Sequence, residues 1–390
     1  MKNVILISPC FPPSFKYFAS ALKYAGGNVL AIDDQDYMLL DNVLKDNITE
    51  YYRVNSMENY EELYKAVAFF CHKYGRISIL DSHNEYWLET EAKLRDDFNI
   101  PGLRQDEMKP IKCKSEMKKV YRKAGLKVAE GNVVFCLEDA QKFATKYGYP
   151  IIAKPDSGIG AASTYKINNY SELELAFSGI SRFPYIVEQF ITGSIHSFDG
   201  IADEDSEPIF FTSHVFSSGV MEVVNNNQDI YYYSVRELPE ELEKAGRKCL
   251  KAFNVKNRFF HLEFFYTPSG EYVPLEVNIR PSGGYAVDMY NIASDFDVFK
   301  IWADLVINGI NKIDYNLKYH VCYIGRKNNI CYAHSHDDIM DKLAEVIAMN
   351  RTIPVVFRNA MGDYMYLARS ESFDVIMDAV EYIQKREDYE

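Results

Sequence analysis

FFHLEFFYTPSGEYVPLEVNIRPSGG, residues 259–284, is the stretch from which the rest of the chain is best understood. Two runs of β-forming residues flank the turn signal Pro268-Ser269-Gly270, so a β-hairpin is expected. A turn centred on Ser269-Gly270 sets Glu263 opposite Glu276 and His261 opposite Asn278. Side chains alternate along a strand. Glu276, Asn278 and Arg280 therefore share one face, and Val273, Leu275, Val277 and Ile279 share the other. That second face is wholly apolar and belongs in a core. Like charges directly opposite across a strand pair are destabilising, so the two carboxylates need a compensating cation. Two carboxylates and an amide carbonyl are oxygen ligands suited to a hard ion such as Mg²⁺ (or Mn²⁺), which keeps some waters and shares phosphate oxygens. The competing reading is a solvated polar face on a surface hairpin, and the dense Phe and Val flanks weigh against it.

Composition narrows the classes of function. The 390-residue length allows two or three domains. A hydrophobic content of 47% with 25% charged residues is that of a soluble globular chain. The formal net charge of −13 argues against a general nucleic-acid binder, because neutralising phosphates needs a basic face. A local basic pocket for a small anion stays open. The seven scattered cysteines include no C-x-x-C and no histidine pair has zinc spacing, so a structural zinc site is not expected. The odd count suits a reducing cytoplasm. The opening MKNVILISP has too short an apolar run for a signal peptide and reads as a first strand. No apolar stretch reaches transmembrane length.

Along the chain, residues 3–8 predict a buried parallel strand, 15–24 a helix stopped by Gly26-Gly27, and 28–32 a second strand. A helix over 60–74 and a strand over 77–80 follow. This βαβ alternation predicts a small doubly wound domain, without the G-x-G-x-x-G of a dinucleotide site. Ligands in such sheets sit beyond the carboxyl ends of strands. Glu85, in Asp81-Ser82-His83-Asn84-Glu85, is thus a substrate-pocket candidate; a helix cap by Asp81 or Ser82 is an equal alternative.

Residues 112–125, KCKSEMKKVYRKAG, read as one basic helix ended by Gly125. In YPIIAKPDSGIGAASTYKI, residues 149–167, strands at 151–154 and 164–167 flank a loop of small residues. Backbone amides around Ser157, Gly158 and Gly160 are able to form a nest for phosphate oxygens, and Lys154 brings an ammonium to its root. G-K-[ST] is absent and a strand follows, so this is not a P-loop; an ordinary flexible hairpin is the alternative. Residues 185–191, YIVEQFI, read as a further strand. Arg236 suits a substrate carboxylate or phosphate, or equally a surface salt bridge. Pro281-Ser282-Gly283-Gly284 permits a tight turn and close approach of a ligand, which makes Ser282 and Gly283 substrate candidates.

The pattern H-x-E followed by E-x-N-x-R resembles the metal-binding hairpin of the ATP-grasp superfamily, whose members include biotin carboxylase, carbamoyl phosphate synthetase, D-alanine–D-alanine ligase and the bacterial L-amino-acid ligases. The glycine-rich loop resembles that superfamily's flap over the triphosphate. Residues 185–191 resemble its hinge, whose backbone reads the adenine edge, with Glu188 and Phe190 matching E-x-[FY]. Lys114, by its spacing to Gly125, matches a lysine that reaches the nucleotide phosphates. His196 matches a histidine near the nucleotide, although Ile195 stands where many ligases carry Glu.

The resemblance covers residues 110–310 and implies an α/β and α+β chain. A small doubly wound pre-ATP-grasp domain would occupy residues 1–110. The ATP-grasp fold would occupy 111–315, with a flap subdomain at 128–190, and a C-terminal α+β module would occupy 316–390. ATP and Mg²⁺ (or Mn²⁺) are the implied cofactors. Lys114, Lys154 and the flap would hold phosphates, and Glu263, Glu276 and Asn278 the metal. Arg280 would stabilise the transferred phosphoryl group or a tetrahedral oxyanion. The implied reaction activates a carboxylate as an acyl phosphate, which an amine attacks to give an amide or peptide bond, ADP and phosphate. Small-molecule carboxylates and amines are the expected partners, with neither nucleic acid nor membrane, and a homodimer is open to the chain. The alternatives are a bicarbonate-activating carboxylase-like enzyme, which would need a partner because no A-M-K-M biotinyl segment occurs, and a non-catalytic nucleotide-binding module.

Overall fold

A computed structural model describes residues 1–158, 163–180, 184–219, 223 and 228–387. The apolar runs at the start form a parallel sheet of β1 (Asn3–Ile7), β2 (Asn28–Asp33), β3 (Glu50–Arg53) and β4 (Ile77–Asp81), in the order β3-β2-β1-β4. Its central strands β1 and β2 read as continuous apolar runs because helices cover both faces, whereas the edge strand β3 is Glu-Tyr-Tyr-Arg. Val4 and Leu6 pack with Phe18 and Leu22 of the helix Lys16–Tyr24. Ile5 and Ile7, on the other face, pack with Leu63, Val67 and Phe70 of the helix Tyr60–Tyr74.

The second sheet is antiparallel, in the order β5-β8-β6-β7, from β5 (Gly131–Val134), β6 (Ile151–Pro155), β7 (Tyr165–Ile167) and β8 (Tyr185–Gln189). The helices Leu137–Tyr147 and Tyr170–Ser178 close its core through Phe143, Leu173 and Phe177. The loop between β6 and β7 includes Gly160, which lies outside the described residues.

The third sheet holds the hairpin. Its described strands are β9 (Ser194–Ala202), β10 (Pro208–Thr212), β11 (His214–Phe216), β12 (Tyr231–Ser234), β13 (Arg258–Tyr266), β14 (Tyr272–Asn278), β15 (His320–Arg326), β16 (Ile347–Thr352) and β17 (Tyr364–Ser370). Their order is β14-β13-β9-β11-β12-β15-β17-β16, with β10 beside β9. Residues 316–390 read as a module from sequence, yet β15 pairs with β12, so the C-terminal strands extend this central sheet. That pairing covers backbone groups of β12 that an open edge would leave unpaired.

Two local expectations change. Residues 112–125 are not one helix: helices Gln105–Lys112 and Lys114–Lys123 meet at Cys113, which is extended at φ −102° and ψ 115°. Asp156 makes the break, since the Lys114 amide donates to its carbonyl at 2.8 Å and the Ser115 amide to its carboxylate at 2.8 Å.

The hairpin pairs as expected at the charged end, but by a different route. Tyr266 faces Tyr272, one residue off the expected register, and a bulge at Leu275 restores Glu263 to Glu276 and His261 to Asn278. The extra residue interrupts alternation. Val277 and Ile279 reach the core, whereas Leu275 stays half-buried outside it, a correction to the wholly apolar face.

Candidate active site

The carboxylate face is backed by β9, whose Ser197 and Asp199 stand beside Glu263 and His261 of β13. Asp199 is fully buried and accepts from Ser197 Oγ at 2.7 Å, His214 Nδ1 at 2.8 Å and His261 Nδ1 at 2.6 Å. Burial opposes a charged His261, but the Asp199 carboxylate outweighs it and holds the imidazole near pKa 9. The other ring nitrogen, Nε2, lies 3.4 Å from Glu263 Oε1. Glu263 thus has an imidazolium beside it.

Glu276 is less well compensated. Burial and the facing Glu263 push its carboxyl above the usual range, while Lys114, 3.8 Å away, and Lys154 pull it down. A divalent cation between the carboxylates would relieve that repulsion. Among the described residues, no three His, Cys, Asp or Glu side chains form a closed metal cage. Glu263, Glu276 and the Asn278 amide are instead a partial oxygen set, which fits Mg²⁺ completed by water and phosphate oxygens.

Three lysines come from two elements. Lys154 Nζ on β6 lies 2.7 Å from Glu188 Oε2, and Lys118 Nζ lies 2.6 Å from Glu188 Oε1. Burial alone would raise the Glu188 carboxyl, but the two ammoniums hold it down to about 2. Burial opposes the charge on Lys154, yet Glu188 keeps its pKa raised. Lys114 and Lys118 are four residues apart on the helix Lys114–Lys123 and so share a face. Sequence reading singled out the first and missed the second, although that spacing was visible.

Glu85 joins the site from the first domain. Its carboxylate takes a 2.8 Å bond from Arg280 Nη2, across 195 residues of chain, and pairs with Lys112 at 3.5 Å. Burial raises this carboxyl, but Arg280 and then Lys112 hold it below the usual range. The cap at this loop is neither Asp81 nor Ser82: the Asn84 side chain accepts from the Tyr86 amide. Lys112, Asp199 and His214 carried no motif.

Other candidates fall elsewhere. His196 pairs with Phe264, so strand alternation puts it on the Phe198 face, opposite the carboxylates. There it bonds Ser194 at 3.0 Å and lies beside Tyr266 and Tyr272, a correction to its expected place at the nucleotide. Arg236 donates to the Leu317 and Glu371 carbonyls at 3.4 and 2.9 Å. These bonds tie down the C-terminal segment, and among the described residues Arg236 has no ion pair within 4.0 Å. Ser157 sits at the flap root, 3.2 Å from the Cys113 thiol, and Gly158 has a φ of +141°. Phe190, at the end of β8, lies under the Lys166 ammonium at 4.0 Å. Ser282 is half-buried and Gly283 exposed in the turn after Arg280.

Residues 147–288 match the ATP-grasp domain family. The chain carries an ATP-grasp domain. The L-arginine-specific L-amino acid ligase of Bacillus subtilis is 25% identical over 221 residues, 54% of this chain and 53% of that protein. The carbamoyl phosphate synthase large chain of Thermoanaerobacter pseudethanolicus is 24% identical over 202 residues, 50% of this chain and 18% of that protein. The chain therefore matches about half, or far less, of the length of these curated relatives. The crystal structure of L-amino acid ligase from Bacillus licheniformis superposes with a TM-score of 0.75 at 14% identity, covering 98% of this chain and 96% of that one. N5-carboxyaminoimidazole synthetase from Staphylococcus aureus superposes at 0.69 and 18% identity, covering 97% and 96%. Likeness at this identity establishes the fold, an ATP-grasp architecture behind an N-terminal parallel-sheet domain. The matched ATP-grasp segment contains Lys154, Glu188, the carboxylate hairpin and Arg280. Lys112, Lys114, Lys118 and Glu85 lie before it and reach the same site through packing.

Proposed function

We propose that this ATP-grasp chain is an ATP- and Mg²⁺-dependent carboxylate–amine ligase that forms an amide or peptide bond through an acyl phosphate. The observation that carries this reading is the facing pair Glu263 and Glu276, with Lys114 beside Glu276 and Lys154 held at the flap root. Glu263, Glu276 and Asn278 would hold Mg²⁺, which neutralises phosphate charge when bound. Lys114 and Lys154 orient the triphosphate. Arg280, steered by Glu85, is available to the transferred phosphoryl group or to the oxyanion formed on amine attack. Glu188 keeps Lys154 charged and fixed without competing for the metal. His261, held by Asp199, orients Glu263.

The testing experiment is ATP-to-ADP turnover across pooled amino acids and small acids, with mass spectrometry of the product. A new amide with one ADP per bond is expected; no ADP from any mixture would favour a non-catalytic nucleotide-binding module. The carbamoyl phosphate synthase match supports a second reading, a bicarbonate-activating enzyme. So does a structural neighbour, the biotin carboxylase domain of a 2-oxoglutarate carboxylase in complex with MgADP and bicarbonate. ADP release that needs bicarbonate and no amine would select it. Among the described residues no helix is long and apolar enough to cross a membrane. Small-molecule partners and a cytoplasmic site of action go with the ligase reading.

A further inference from the structure

The ligase reading leaves its organic substrates without a binding site. A pocket of about 180 Å³ lies where three parts of the chain meet. Pro13 and Tyr17 come from the segment after β1, Tyr285 and Asp288 from the segment after the hairpin, and Arg351 and Phe357 from the end of β16 onward. Strand order turns at β1, between β2 and β4, and ligands of doubly wound sheets sit beyond strand ends at such a point. A pocket of this size suits one small metabolite.

Its charges are paired in kind but not with each other. Asp288 is half-buried and Arg351 exposed, and among the described residues neither has an ion-pair partner within 4.0 Å. Burial raises the Asp288 carboxyl to about 6, against the pull of Arg351. Lys16 also lines the pocket, but Asp41 engages its ammonium at 2.6 Å. The remaining walls are mostly aromatic and prolyl, with the hydroxyl residues Ser14 and Thr352 among them, and Phe357 stacks on Phe11 at 5.4 Å. Gly284 lines it in a left-handed backbone conformation, with φ +64°.

We propose that this pocket binds a zwitterionic α-amino acid, its ammonium held by Asp288 and its carboxylate by Arg351. Both side chains line one pocket without an ion-pair partner, and a zwitterion offers one to each, since a guanidinium forks onto a carboxylate and a carboxylate accepts from an ammonium. The identification of that amino acid as a reactant rests on the ligase reading; the binding site itself does not.

Equilibrium dialysis of the full chain with pooled proteinogenic amino acids, in the presence of ADP and Mg²⁺, tests it. At least one amino acid is retained, and Asp288→Asn and Arg351→Ala each weaken retention about 10- to 100-fold with ADP binding unchanged. The decarboxylated and deaminated forms of the retained amino acid bind the wild-type chain about tenfold more weakly or worse. Arg351 is exposed, so its variant tests the site even where Asp288→Asn fails to fold. Retention that survives both substitutions, or no retention by the wild-type chain, overturns the proposal. Ligation is scored separately by product mass: retention without product leaves the site standing and the ligase reading fallen.

Discussion

Glu276 carries the strongest expectation at the scale of single residues. Its carboxyl is raised by burial and by Glu263. A carboxyl raised in the fold stabilises only its protonated form, so its contribution falls as pH rises through the folded value. Glu276→Gln is therefore expected to raise the melting temperature of the metal-free chain at neutral pH while lowering ATP turnover about 100-fold or more. It should also remove any melting shift that Mg²⁺ adds in the presence of ADP. Wild-type turnover in this variant would sink the metal assignment. Lys154→Ala should instead raise the KM for ATP about tenfold or more, by loss of a charged phosphate contact, read from initial rates. Both residues were legible in the sequence, one from strand alternation and one from its place before a glycine-rich loop. Asp199 was not: nothing in SIHSFDG marks a carboxylate that receives two histidines from other strands.

At the scale of elements, the helix Lys114–Lys123 is joined to the second sheet through Glu188 as well as through Asp156. Glu188 on β8 is buried between Lys118 and Lys154. Removing one member of such a set leaves buried charge unpaired, so Glu188→Ala should cost roughly 3–5 kcal/mol, measured by urea unfolding. The pH dependence has a defined sign. The Glu188 carboxyl is depressed from 4.5 to about 2, so its contribution is present above the unfolded value and disappears as pH falls from 4.5 toward 2. The Glu188→Ala chain should lose less stability than wild type over that window. The helix break at Cys113 belongs to the same scale. Local pattern favoured one continuous basic helix, and the competing hydrogen bonds come from Asp156, far along the chain.

At the scale of the whole molecule, the first domain is tied to the central sheet by a buried charge cluster. Arg258 of β13 meets Asp81 at 3.1 Å and Glu91 at 3.3 Å, and Arg95 meets Glu91 at 2.7 Å. All four side chains are buried. Arg258→Leu leaves two carboxylates to one guanidinium and should destabilise the chain by roughly 3 kcal/mol or more. The loss should appear as earlier thermal unfolding. Because Glu85 rides on the same domain and steers Arg280, turnover should fall below what lost folded protein explains, checked at a temperature where the variant remains folded.

The hairpin, the alternation that gathers its acidic face, and three of the four parallel strands of the first domain were determined by the sequence alone. Each rests on a period of two, a period near 3.6, or a turn, and these act over a few residues. Only the tertiary structure decided that Glu85 meets Arg280, that Lys118 shares Glu188 with Lys154, that His196 turns away from the carboxylates, and that the C-terminal strands complete the central sheet. Those contacts join segments far apart in the chain, and their energies depend on burial and on which charges are left without water. Neither is written in any local run of residues.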